Sequence, residues 1–215
     1  MDAILGNLDL YIEGFLETLR LSLFAGVGSL VLGTLLAAFR VSPIPPLRAL
    51  GTTYVEIVRN TPLTVVFFFL AFGLPQVDLT IEFYPAAVAA LTIYTASFVC
   101  EVVRSGINSV SSGQAEAARA IGFTFPQTLR YVVLPQAFRT VVPALGNVYI
   151  AMVKNSAIAG AFGVNELLAV GKRLSVTNPD AVVAVFLGVA VAYLVLTLTM
   201  GLIFGQLERR LAIAR

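Results

Sequence analysis

The sequence predicts an all-α polytopic membrane protein, and three observations predict it. Hydrophobic residues make up 58% of the 215 positions and charged ones only 12%, about half the charged share of a soluble domain. Mean hydropathy is +0.90. The apolar residues gather into runs close to the ~20 residues a helix needs to cross a bilayer core. The chain, 1–215, reads as a single transmembrane domain with no room for a separate soluble one.

About five spans are expected, at 19–39, 57–74, 83–103, 141–162 and 181–207. Pro43, Pro45 and Pro46 end the first, Gly73 and Pro75 end the second, and Asn178-Pro179-Asp180 precedes the last, because proline lacks the N–H that would extend a helix. Gly26, Gly28 and Gly33 in the first span permit close helix packing. Pro143 and Lys154 interrupt the fourth. An odd number of spans puts the termini on opposite sides. Arg40, Arg48, Arg119, Arg130, Arg139, Arg209, Arg210 and Arg215 then fall together on one side, which the positive-inside rule makes cytoplasmic. The other side holds Asp2, Asp9, Glu13, Glu17, Asp78, Glu82, Glu166 and Asp180, with Arg20 at a span edge and Lys172 and Arg173 as its basic minority. The expected topology is N-out, C-in. The acidic N-terminus is the reverse of a signal peptide.

Composition excludes several function classes. There is no His and one Cys, Cys100, inside an apolar run, so metal clusters, Cys–His dyads and disulfides are not expected. No catalytic residues are assigned, which sets aside a membrane-embedded protease or lipid transferase. A net charge of +2 without a basic run does not suit nucleic acid. No Gly-x-x-x-x-Gly-Lys-Ser/Thr sequence is present to cradle nucleotide phosphates.

One polar segment, about 111–135, interrupts the membrane pattern between the third and fourth spans. Two short helices are expected in it. Ser111-x-x-Gln114 is a candidate capping box, Glu116 lies near the positive end of the helix dipole, and Gly122 is a stop signal. Thr124-x-x-Gln127 is a second capping box, with Pro126 in the first turn and the helix ending at Leu134 before Pro135. Ala117, Ala118 and Ile121 share one face of small bulk, and Phe123 and Phe125 are apolar anchors at the bend. Such a water-facing elbow is either a docking handle for another protein or an amphipathic connector on the headgroups.

The spacing Glu116-Ala117-Ala118, three residues, Gly122, nine residues, Val132-x-Leu134-Pro135 resembles the EAA loop of ABC import permeases, with Val132 where Ile is usual. The resemblance extends from about residue 53 to 168. It includes Tyr54-x-Glu56-x-x-Arg59-x-Thr61-Pro62-Leu63, Glu101-Val102-Val103-Arg104-Ser105-Gly106, Pro135-Gln136-Ala137 and Pro143-Ala144-Leu145-x-Asn147. These are similar to the histidine/glutamine-type permeases for polar amino acids. The resemblance implies a type I ABC importer permease fold in the bacterial cytoplasmic membrane. It also implies a second permease subunit, identical or different, an external substrate-binding protein, and an ATPase that grips Glu116, Ala117, Ala118, Gly122, Phe123, Leu134 and Pro135. ATP and Mg would be used by that ATPase, with no cofactor bound by this chain. A secondary transporter or channel is the rival class, and the internal repeats with broken helices that mark many of them are not evident.

Polar residues inside the spans mark candidate function. Asn147, Ala151 and Lys154 share a face, and Asn155 and Ser156 follow. An ammonium beside neutral hydrogen-bonding groups suits an amino acid carboxylate; the alternative is a Lys154 that snorkels outward or pairs with Glu101 or Glu56. Asn155-Ser156-Ala157-Ile158 replaces the Asp/Asn-Thr-Ser-Leu of many relatives and is similar to glutamate-type permeases, so glutamate is the expected substrate, with glutamine, histidine, arginine or cystine as alternatives. Glu56 with Arg59, and Glu101 with Arg104, are i, i+3 pairs expected to be structural ion pairs or a gate.

Overall fold

The computed structural model describes residues 2–211. Those residues are helical almost throughout. After a short turn at Asp2–Leu5 come α1 (Leu8–Val41), α2 (Pro45–Asn60), α3 (Leu63–Val77), α4 (Phe83–Asn108), α5 (Ser112–Ala120), α6 (Phe125–Phe162), α7 (Leu167–Thr177) and α8 (Val182–Leu211). Arg215 lies outside the described residues. α1, α4, α6 and α8, the last with the turn at Pro179–Ala181, are long and apolar enough to cross a membrane. The bent pair α2–α3 brings the number to five.

The segment expected to cross at 57–74 is not one rod. α2 and α3 meet at 103° across Asn60 to Leu63. Pro62 explains the elbow: it forces Thr61 out of the helical region, to φ −97° and ψ 131°, and has no N–H to offer. Beyond the elbow α3 widens in a π turn at Phe69–Gly73 and then tightens into a 3₁₀ end at Leu74–Val77. Its rings Phe67, Phe68 and Phe72 surround Phe162, with centroids 4.9–5.9 Å apart.

α1 and α4 form the central seam. Ala25, Ser29, Gly33 and Ala37 repeat every four residues along α1, all buried, so the backbone of α4 comes close along the whole ridge. A Cβ at Gly33 would stand 2.6 Å from Val99 Cβ and 2.7 Å from the Ala96 carbonyl oxygen. Gly28 is similarly crowded by Thr92, whereas Gly26 has 3.4 Å to Met152. At the far end from the Glu116 loop, α7 and α8 are tied to α1: Tyr11 Oη donates to the Val185 carbonyl at 2.9 Å, and Leu167 N–H donates to Thr18 Oγ1 at 3.1 Å.

Glu166 departs from its expected place among the water-facing acids. It is fully buried. Its carboxylate caps α7 by accepting from the N–H groups of Leu168 and Ala169 at 2.9 and 2.8 Å, and it accepts from Tyr193 Oη at 2.5 Å. Three donors compensate the desolvation of the group.

Candidate functional site

The polar loop is built from local signals that mostly work as expected. α5 ends in a Schellman motif: Gly122 has φ +95°, its N–H reaches the Arg119 carbonyl at 3.0 Å, and Phe123 N–H reaches that of Ala118 at 3.0 Å. Thr124 and Gln127 form the reciprocal capping box, with Thr124 N–H donating to Gln127 Oε1 at 2.8 Å. Phe123 and Tyr131 meet edge to face, 6.3 Å between centroids, and brace the bend.

Four expectations for the loop need correction. Ser111 is the N-cap of α5, but its side chain makes no capping hydrogen bond, so the first box is absent. Glu116 falls in the second turn, away from the helix start. Ala118 is buried where α5 packs on the segment 125–133, while Glu116, Ala117, Ala120, Ile121 and Phe125 are exposed, Ile121 at 77%. The helix after the bend does not stop before Pro135 but continues as α6 to Phe162. A π turn at Leu129–Val133 lets the Leu134 N–H reach back five residues to Leu129, and the missing N–H of Pro135 comes where the register changes. Leu134 and Pro135, both exposed, therefore lie on the stalk that joins loop to span.

Between α4 and α6 lies a cavity of about 380 Å³, lined by Tyr94, Thr95, Phe98, Asn147, Ala151 and Asn155 among others. The three α6 residues recur at i, i+4 and i+8, one helical face, and both asparagines offer a donor and an acceptor. No lining residue is charged. Lys154 sits beside this face, exposed, and makes no ion pair with Glu101 or Glu56. Ser156 is turned away: it is fully buried and donates to the Val153 carbonyl at 2.6 Å.

Below the cavity, toward the loop, an arginine cluster surrounds Glu101. Arg40 from α1 donates to Oε1, and Arg104 donates to Oε2 at 2.8 Å. Arg59 from α2 stands 3.9 Å from Oε1 and lies over the Phe98 ring, 5.2 Å from its centroid. The expected Glu56–Arg59 pair does not form; Glu56 faces outward and its carboxylate accepts from Asn60 Nδ2 at 3.5 Å. Arg40 was the residue that sequence spacing missed, because it joins Glu101 across 61 positions. Its place at the end of the first span, level with the i, i+3 pair on the third, was the available signal.

An outward elbow on a helical stalk lies beneath a largely apolar cavity that carries two asparagines, within a bundle of candidate spans. Residues 29–213 match the family model described as binding-protein-dependent transport system inner membrane component, and the chain belongs to that family. It is 43% identical over 205 residues to the probable glutamine ABC transporter permease protein GlnM of Bacillus subtilis (strain 168), covering 95% of this chain and 94% of that one. It is 40% identical over 216 residues to the glutamate transport system permease protein GluC of Corynebacterium glutamicum, covering 95% of each. The fold matches the crystal structure of an amino acid ABC transporter with histidines at TM-score 0.90 and 34% identity, over 96% of both chains. It also matches the MetNI methionine ABC transporter at TM-score 0.78 and 27% identity, over 95% of this chain and 97% of that one. This chain is thus the permease subunit of an amino acid ABC importer, a multi-pass protein of the bacterial cytoplasmic membrane with no ATPase activity of its own.

Proposed function

We propose that this permease imports glutamate, through the cavity between α4 and α6. The observation that carries the reading is the character of that site: neutral hydrogen-bonding groups from Asn147 and Asn155, no lining carboxylate, and an unpaired ammonium at Lys154 beside it. A cavity with that balance accepts an anionic amino acid without like-charge repulsion. Similarity to GluC supports glutamate, and similarity to GlnM supports glutamine as the second reading.

In this reading the N-terminus is external and the C-terminus cytoplasmic, which puts Glu116, Ala117, Ala120, Ile121 and Phe125 where an ATPase subunit grips them. ATP and Mg are used in that partner. A second permease copy or a different permease completes the pathway, and an external binding protein delivers the amino acid. The stroke passes along the unbroken helix α6 from the elbow to the cavity face, since one rod carries Phe125 at one end and Asn155 near the other.

The test is uptake of labelled amino acids by cells lacking this gene, with and without the gene restored. Restored glutamate uptake that glutamine competes with only weakly supports the proposal. Restoration of glutamine uptake alone assigns the second reading, and restoration of neither overturns both.

A further inference from the structure

Glu101 supplies one negative charge to three guanidinium groups, and only two of them hydrogen-bond to it. Arg40 takes Oε1 and Arg104 takes Oε2. The Arg40 side chain is 12% exposed, fixed in the wall between α1 and α4. Arg59 differs from both. Its nearest nitrogen is 3.9 Å from Oε1, beyond hydrogen-bonding reach, and its side chain is 43% exposed. Its own-helix neighbour Glu56 does not neutralise it. What positions the Arg59 guanidinium is the ring of Phe98, and that ring is also part of the cavity lining.

The guanidinium therefore stands just past the cavity, on the side toward the coupling loop, in a long ion pair with Glu101 but with its N–H donors hydrogen-bonded to no carboxylate. A planar fork of N–H donors matches a carboxylate in a bidentate way. Every α-amino acid leaving the cavity past Phe98 carries one. Arg59 also immediately precedes the Asn60–Leu63 elbow, so a change in the angle between α2 and α3 carries the guanidinium relative to Phe98.

We propose that Arg59 binds the substrate α-carboxylate at the end of the cavity nearest the coupling loop, and that Arg40 and Arg104, by holding the hydrogen bonds to Glu101, leave the Arg59 donors available. This rests on the α4–α6 cavity being the amino acid pathway. It goes beyond that reading by assigning the group common to all α-amino acids to a residue outside the cavity lining. Arg59 does not discriminate side chains, and glutamate and glutamine depend on it equally.

The complete transporter, permease with its ATPase and binding protein in proteoliposomes, is assayed for amino acid uptake and ATP hydrolysis together. Arg59→Gln is expected to cut uptake about tenfold, the scale of one lost charge-assisted hydrogen bond. ATP hydrolysis stimulated by the loaded binding protein stays near the wild-type rate, so more ATP is spent per amino acid moved. Arg59→Lys recovers part of the loss. Unchanged uptake in Arg59→Gln overturns the proposal, as does a proportional fall in uptake, hydrolysis and thermal stability, which marks a structural arginine. If Arg59→Gln does not assemble, Phe98→Leu is read the same way: it removes the ring that places the guanidinium, and normal coupling in it overturns the proposal. A wild-type complex that moves no amino acid instead refutes the proposed function.

Discussion

The two faces of α4 are built to opposite specifications. Toward α1 the helix meets a ridge of Ala25, Ser29, Gly33 and Ala37 with no space for even one more carbon at Gly33. Toward α6 it touches closely at Gly106, which is pressed against Val141 and the Ala137 carbonyl, and then parts to leave about 380 Å³ between Tyr94–Phe98 and Asn147–Asn155. The contrast teaches which pair is one rigid body and which pair encloses a space. Small residues repeated at helical spacing weld α1 to α4, and packing without slack resists relative movement. Close packing at the Gly106 end of the α4–α6 pair gives way to the cavity further along it. Substitutions in the seam are expected to change stability, and substitutions facing the gap to change transport.

The largest expected effect is Gly33→Val. Its Cβ alone meets Val99 and the Ala96 carbonyl well inside van der Waals distance. The cost exceeds the ~1–3 kcal/mol usual for overpacking, because backbone rather than a flexible side chain must give way. Loss of the folded subunit in detergent, followed by size-exclusion chromatography and thermal unfolding, is the outcome. A stable Gly33→Val protein breaks the claim that the seam is closed.

Next comes Glu101→Gln, on the same side of the helix bundle. It leaves Arg40 with half a partner in a wall where its side chain is 12% exposed. Unpairing a buried charge costs about 3–5 kcal/mol, and the 21% exposure of Glu101 lowers the expectation to about 2 kcal/mol. Thermal unfolding of Glu101→Gln beside Arg59→Gln sharpens the comparison: the first is expected to lower the midpoint and the second to leave it nearly in place.

Gly122→Val acts away from both faces. A β-branched residue at φ +95° costs about 1–2 kcal/mol, spent on the Schellman turn of the elbow rather than on the bundle. The subunit is expected to insert and remain folded while ATP hydrolysis stimulated by the binding protein falls. Normal stimulation would separate the elbow from coupling.

That elbow was legible because its signals are local. Gly122 stops a helix and Thr124 with Gln127 starts one whatever the rest of the chain does. Ser111 with Gln114 failed on the same grounds that made it plausible, since a serine N-cap can be satisfied by backbone alone, as the Gln114 N–H to Ser111 carbonyl bond shows. Pro135 misled because a helix can pass a proline when a π turn absorbs the missing donor. The partners of Glu101 and the burial of Glu166 are long-range facts. Arg40 lies 61 positions from Glu101 and Tyr193 lies 27 from Glu166, and no periodicity connects them. The cavity face was half legible: helical spacing put Asn147 and Ala151 together, but whether Lys154 or Asn155 continued the face depended on where α4 stood.

The smallest expected effect on stability is also the one that bears most on substrate. Asn147→Asp replaces an amide by a carboxylate of almost the same shape at an exposed position lining the cavity, where nothing has to be repacked. Stability is expected to move by less than about 0.5 kcal/mol, as for an exposed position. The new charge nevertheless faces whatever occupies the cavity. Glutamate carries one more negative charge than glutamine, so its passage is slowed by repulsion that glutamine does not feel. Competition between the two labelled amino acids in the reconstituted transporter should therefore swing toward glutamine in Asn147→Asp, whereas Arg59→Gln lowers both together. If Asn147→Asp leaves the ratio unchanged, the side chain of the substrate does not lie against α6, and the gap between α4 and α6 loses its claim to be the place where substrates are told apart.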